Sequence, residues 1–256
     1  MTSIKLFSKI KYYILNLIVS FFAINNKSNH RCLMYHSVFK KKIFINDIHS
    51  VKYLSFLKQI KYLKKFKIIP IDKISKYNNE KTFSITFDDG YKDTFELAYP
   101  ILKKLNIPFA IFVTNSFLEK KSDLYMSKKD LLNLSKNQNV IIGSHGNNHI
   151  SFNQLSEKKL FSDLTKSKKN LELIIKRKID CISFPNGIFN KNIIKICKKV
   201  GFKFLFTSIP FANSKNNIKN KIINRQAIIY FDDTVGFKNK IYGKYDLINS
   251  LKAHIY

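Results

Sequence analysis

The chain has 256 residues and is 45% hydrophobic, enough to bury one core the size of an α/β barrel and too much for a disordered or fibrous protein. Its formal charge of +29 comes from lysines spread along the whole length, without an arginine-rich block or a nucleic-acid module; we therefore expect no nucleic-acid partner, while an anionic membrane surface or an acidic glycan stays open. Cys32, Cys181 and Cys197 are an odd set without CxxC spacing, which argues against a disulfide framework and against a structural zinc cluster.

Residues 1–30 differ from the rest. Lys5, Lys9 and Lys11 precede a run from Tyr12 to Ile24 that is apolar except at Asn16 and Ser20, and Asn25 to Asn29 turns polar again. Such a run falls short of the roughly 20 residues a spanning helix needs. No A-x-A-like cleavage site follows. We expect an interfacial membrane anchor or a buried first helix in preference to a cleaved leader.

From Arg31 onward, residues 31–256 read as one domain of repeated βα units. Predicted strands are Cys32 to Tyr35, Phe83 to Phe87, Phe109 to Val113, Val140 to Gly143, Cys181 to Phe184, Phe204 to Thr207 and Gln226 to Tyr230. Predicted helices are Val51 to Phe66, Tyr91 to Leu105, Lys128 to Ser135, Ser156 to Ile175, Asn190 to Val200 and Lys244 to Ala253. In the fourth, Leu160, Leu164, Leu171 and Ile175 recur near a 3.6 period with lysine on the other face. Gly201 reads as a helix stop.

Chemistry in such barrels gathers at the carboxyl ends of strands. Three predicted strands end in polar clusters: Asp88-Asp89-Gly90, His145 with His149, and Pro185-Asn186-Gly187. Two histidines four apart plus one carboxylate can hold a divalent ion with positions left open, and a second carboxylate can then take a proton from water. Taken singly, each cluster also reads as an ordinary turn or a chance pair.

Together the stretches Thr86-Phe-Asp-Asp-Gly90, Ser144-His-Gly-Asn-Asn-His149 and Ser183-Phe-Pro-Asn-Gly187 resemble the motifs of polysaccharide deacetylases of the NodB-like superfamily, carbohydrate esterases that remove acetyl groups from glycans. Leu33-Met-Tyr-His-Ser37 and Ile68-Ile-Pro-Ile71 resemble the amino-terminal extension of one bacterial branch. The resemblance covers residues 31–231. It implies a distorted (β/α)7-type barrel, with Asp88 as general base and Asp89, His145 and His149 as ligands of a divalent metal, usually zinc. The backbone N–H of Asn186 would bind the oxyanion, and Pro185 would hold that turn.

The substrate implied is an acylated glycan of the cell surface, or its lipid-linked precursor, losing an N-acetyl or related acyl group. The location expected is the cytoplasm or the periphery of the cytoplasmic membrane, with export left open. Two alternatives stay open: a silent glycan-binding barrel, and a basic peripheral membrane protein.

Phe184 and Asn186 depart from the family pattern, which often has arginine before the proline and tyrosine after it. The usual late Leu-x-His motif, source of the proton donor, has only His254 near the chain end as a counterpart. His36 is the other candidate, as an active-site lining or as a structural hydrogen-bonding group. Arg225 either orients Asp88 or is a surface arginine. The general acid stays unassigned.

Overall fold

Strands covered by helices on one side and by a filled barrel interior on the other must be buried on both faces, so they read as unbroken apolar runs. In the computed structural model, which describes residues 3–22, 30–40, 48–77, 80–120 and 122–253, this is what the runs become. In chain order the strands are β1 (Arg31–Tyr35), β2 (Val38–Phe39), β3 (Val51–Lys52), β4 (Lys67–Ile68), β5 (Thr82–Phe87), β6 (Phe109–Val113), β7 (Val140–Ser144), β8 (Cys181–Ser183), β9 (Phe204–Phe206), β10 (Ile222–Ile223) and β11 (Arg225–Ala227). Every residue of β1, β5, β6 and β8 is buried.

One parallel sheet takes nine of these strands, with neighbours in the order β10, β9, β8, β7, β6, β5, β1, β11 and with β4 beside the start of β5. Only Asn224 separates β10 from β11. The stretch 222–227 therefore pairs with β9 through its first half and with β1 through its second, which closes a ring of seven: β1, β5, β6, β7, β8, β9 and this split strand. The expected distorted (β/α)7 barrel is present. At the joint, Asn213 secures the backbone that leaves one neighbour for the other: its Oδ1 accepts from Asn224 N–H at 2.7 Å and its Nδ2 donates to Asn224 O at 3.0 Å.

Alternation along the strands separates two cores. Leu33, Tyr35, Ile85, Phe87, Ile111 and Val113 point outward under the helices, whereas Cys32, Ala110, Phe112, Cys181, Phe206 and Ile223 fill the interior. Gly143 makes room for Phe112, since a Cβ there would lie 2.4 Å from the ring. All three cysteines are buried and free, and burial pushes the Cys32 and Cys197 thiols up to about 12, so they serve as small core residues.

The helices are α1 (Ser3–Ser20), α2 (Tyr53–Leu63), α3 (Tyr99–Lys104), α4 (Asn115–Leu118), α5 (Lys128–Ser135), α6 (Glu157–Ile175), α7 (Lys191–Val200), α8 (Lys215–Asn220), α9 (Thr234–Ile241) and α10 (Asp246–Ala253). Side chains of Ser127, Ser156 and Asn190 cap α5, α6 and α7, and Gly201 ends α7 at φ 96°.

Several boundaries differ from the sequence reading. Val51 and Lys52 leave the predicted helix to pair as β3. Pro100 in the first turn of α3 has no N–H to give, and the preceding turn Thr94–Ala98 widens so that Tyr99 N–H reaches Thr94 O. The last predicted strand starts at Arg225 and stops at Ala227. α8 and α9 were not predicted. α1 lies along α9, and no helix among the described residues is long and apolar enough to cross a membrane.

Candidate active site

Asp88 and Asp89 follow directly on β5, and their neighbouring backbones send them in different directions. Asp88 N–H donates to Tyr35 O at the end of β1, 3.0 Å away. Its carboxylate turns toward the split strand, where Arg225 is fully buried and bidentate: Nη1 donates to Asp88 Oδ1 and Nη2 to Oδ2, both at 2.7 Å. The other guanidinium hydrogens go to Thr86 Oγ1, Ser183 Oγ and Thr207 O. A planar fork matched on every edge fixes both groups in place. Burial opposes ionisation of Asp88, but the charge and hydrogen bonds of Arg225 outweigh it and hold the carboxyl far below the usual range.

Asp89 takes the left-handed conformation, φ 72°, which swings its side chain away from Asp88 to the end of β7. There Oδ1 lies 3.0 Å from His149 Nε2 and 3.4 Å from His145 Nε2. The three ligand atoms fall within 4.8 Å of one another. His145 Nδ1 is 3.0 Å from Ser183 O; a carbonyl only accepts, so the ring hydrogen sits on Nδ1 and the Nε2 lone pair of the neutral ring faces Asp89. Burial keeps His145 neutral by lowering its pKa, and contact with the Asp89 carboxylate raises that of His149.

Asp89 Oδ1 is nevertheless buried without a well-formed hydrogen bond. Lone pairs from a carboxylate and an imidazole converging on one point, with the other imidazole nitrogen tied to a backbone carbonyl, are what a divalent cation requires and what a protein without one would avoid. The donor set of two nitrogens and one oxygen fits zinc among the divalent ions.

Other predicted residues sit around this pair. His36 follows β1, so it stands beside Asp88; its Nδ1 is buried without a hydrogen bond and its ring lies 4.7 Å from that of His49. Burial lowers its pKa, against the pull of Asp88 and Asp89. Pro185 opens the tight turn Pro185–Gly187, in which Asn186 adopts φ 57°. The Asn186 side chain donates to Ser151 Oγ at 2.7 Å, so this rim loop is tied to the segment after His149 rather than bonded to the Asp–His cluster. Arg225 is no surface residue. His254 lies outside the described residues.

Three further residues matter that the sequence did not single out. Ser183 connects both halves of the site, since its Oγ joins Arg225 to Asp88 Oδ2 while its carbonyl orients His145. Asp163 on α6 accepts from Asn147 N–H at 2.8 Å, pinning the loop between the two histidines. Phe117 stacks on His149 at 5.6 Å and on Tyr125 at 4.2 Å. Only Ser183 lay inside a motif that could have flagged it.

The arrangement sets a fixed anion beside a triad that can hold a cation, at the mouth of a barrel, which suits hydrolysis of an uncharged acyl bond. A family model described as polysaccharide deacetylase matches residues 75–205. Poly-beta-1,6-N-acetyl-D-glucosamine N-deacetylase of Staphylococcus aureus is 30% identical over 205 residues, 68% of this chain and 70% of that protein. YxkH of Bacillus subtilis, provisionally named a polysaccharide deacetylase, is 30% identical over 138 residues, 54% of this chain; the match spans 48% of YxkH, about half its length. In structure, the Streptococcus pyogenes deacetylase PplD in complex with acetate superposes with a TM-score of 0.74 at 21% identity, covering 84% of this chain and 99% of that one.

Proposed function

We propose, from the premise that this chain belongs to the polysaccharide deacetylase family, that it hydrolyses N-acetyl groups from a glycan built of N-acetyl-D-glucosamine, like the polymer for which its Staphylococcus relative is named. The observation that carries the reading is the division between the adjacent carboxylates: Asp88 is saturated by Arg225, and Asp89 faces two imidazole nitrogens without a hydrogen bond.

Asp89, His145 and His149 would hold the ion, proposed to be zinc. Bound there, it would polarise the acyl oxygen and lower the pKa of a water towards about 7. Asp88 remains anionic at any working pH and accepts the proton of the attacking water. Held so far below the usual range, its carboxyl gives the proton up readily, so Asp88 acts as a brief carrier towards the leaving amine. His36, neutral by burial and with Nδ1 unengaged, is the proposed relay to that nitrogen. The Asn186 backbone N–H, on a turn stiffened by Pro185, is the proposed donor to the oxyanion.

The absence of arginine before Pro185 does not argue for a silent barrel. Phe184 fills that position as a core residue stacked on Phe189 at 5.1 Å, and Arg225 supplies the cation from β11 instead. A lipid-linked substrate and a location in the cytoplasm or at its membrane belong to the same proposal.

Acetate release from N-acetylated oligosaccharides tests it. Asp88→Asn is expected to lose turnover by at least about a thousandfold with metal content near that of the unaltered chain. His145→Ala is expected to lose both. Deacetylation retained in Asp88→Asn would overturn the assignment.

A further inference from the structure

Surface helices of globular proteins turn apolar residues inward and polar ones to water, whereas α1, which buries Val19, also turns a set of large apolar residues outward. Its inward face is hydrogen-bonded: Tyr12 O–H donates to Asp232, and Asn16 Oδ1 accepts from Tyr245 O–H at 2.6 Å. Asn239 of α9 donates to Asn16 O at 2.9 Å. Outward point Ile10, Ile14, Leu17, Ile18 and Phe21, from 50% to 90% exposed, at spacings that place them in one ridge along the helix. Isolated apolar side chains on a surface are ordinary, but five large ones in line mark a contact surface.

Across α9 from this ridge lies a region of positive charge. Gly236 and Asn239 face α1, whereas Thr234 and Lys238 line a cavity of about 470 Å³ between α2 and α9. Lys58, Lys61 and Lys65 of the α2 segment complete its basic wall. Lys65 and Lys238 both lie over the Tyr62 ring, 5.3 and 4.9 Å from its centre. Among the described residues none of these four lysines forms an ion pair, because the cavity's two carboxylates are already engaged: Asp232 by Lys240 at 2.7 Å, and Asp233 as the cap of α9.

We propose that this flank docks on an anionic lipid bilayer, with the α1 ridge in the acyl boundary and the lysine-lined cavity at the phosphate headgroups. Unpaired ammonium groups beside an apolar ridge match the two layers of a membrane surface, apolar inside and anionic outside. An apolar partner protein would leave the lysines without counterions. Since Tyr12 touches Phe231 and Asp232, just past β11 on the catalytic rim, docking sets the barrel mouth beside the bilayer. The inference is independent of the acyl chemistry.

The chain contains no tryptophan, so Leu17→Trp in the full chain gives a single reporter on the ridge. With vesicles of phosphatidylcholine containing about a quarter phosphatidylglycerol, its emission is expected to shift to the blue. In sedimentation, Ile14→Asp with Leu17→Asp is expected to weaken vesicle binding at least about tenfold at any salt concentration. Lys58→Glu, Lys65→Glu and Lys238→Glu together are expected to weaken it as much at low salt only. Unchanged emission on adding vesicles, equal sedimentation of the ridge variant and the unaltered chain, or a vesicle-free shift that grows with protein concentration, which would assign the ridge to a second copy of the chain, each overturns the proposal. All these positions lie away from the Asp–His cluster, so acetate release from a short soluble oligosaccharide is expected to stay unchanged.

Discussion

Asp88 and Asp89 are neighbours in the chain, yet one is over-supplied with donors and the other lacks them. Around Asp88, both oxygens accept from Arg225 and one also from Ser183. Around Asp89, two ring nitrogens approach a buried oxygen that accepts no well-formed hydrogen bond. The difference separates two settings of a buried carboxylate: a balanced charge is fixed in place and held ionised, whereas an unbalanced one is open to a cation. The left-handed turn at Asp89 lets both settings occur in consecutive residues.

The contrast can be broken most severely at Arg225. Arg225→Met strands the Asp88 carboxylate in the barrel interior and is expected to cost about 3–5 kcal/mol of stability in thermal or urea unfolding. Adding Asp88→Asn removes the stranded charge, so the double variant should recover a large part of that loss. If the two changes simply add, the ion pair is not what holds this part of the barrel.

The metal side can be weakened by itself. Phe117→Ala removes the ring stacked on His149 and should lower zinc affinity about tenfold in calorimetric titration, as loss of an outer support does, while leaving the Asp88–Arg225 pair intact. Unaltered affinity would mean that the Phe117 ring does not support His149.

A third carboxylate sharpens the comparison with the smallest effect. Burial pushes Asp93 up to about 6, against the hydrogen bonds of Ser37 and the Val38 backbone that hold it down. With hydroxyl and amide partners but no cation, it resembles neither neighbour. A raised folded pKa means that the folded chain keeps a proton the unfolded chain releases, so the contribution of Asp93 to stability is fully present below 3.8 and is lost as pH rises through about 6. Asp93→Asn should flatten that fall, on the order of 2 kcal/mol, in melts recorded across the window.

The strand ends and the polar clusters that follow them, Asp88-Asp89 and His145 with His149, were legible in the sequence because each is local: an apolar run stops and ligand-type residues follow within a few positions. Arg225 was not decided, because a lone arginine before an apolar run looks the same whether it meets water or a carboxylate 137 residues away. The apolar run that reads as a strand begins after it for the same reason. α9 escaped because Gly236, Asn239 and Lys240 interrupt its apolar pattern, and these are buried against α1 and Asp232, where hydrogen bonds replace apolar packing. β4 and β10 are two residues long and exist only through their neighbours in the sheet. Ser183 stood inside a quoted motif, but its double role needs β5, β7 and β11 in place at once.

The split strand 222–227 sets an order of events during synthesis. It is the last strand of the ring to leave the ribosome, and it bonds to the first. Until it arrives, Asp88 has no arginine, the interior stays open to water between β9 and β1, and the catalytic rim lacks one wall. Charge balance at Asp88 thus coincides with closure of the barrel, so a nascent or truncated chain ending before Arg225 carries Asp89, His145 and His149, the proposed metal ligands, but leaves Asp88, the proposed base, without its arginine. Competence for chemistry arrives together with the final architectural step.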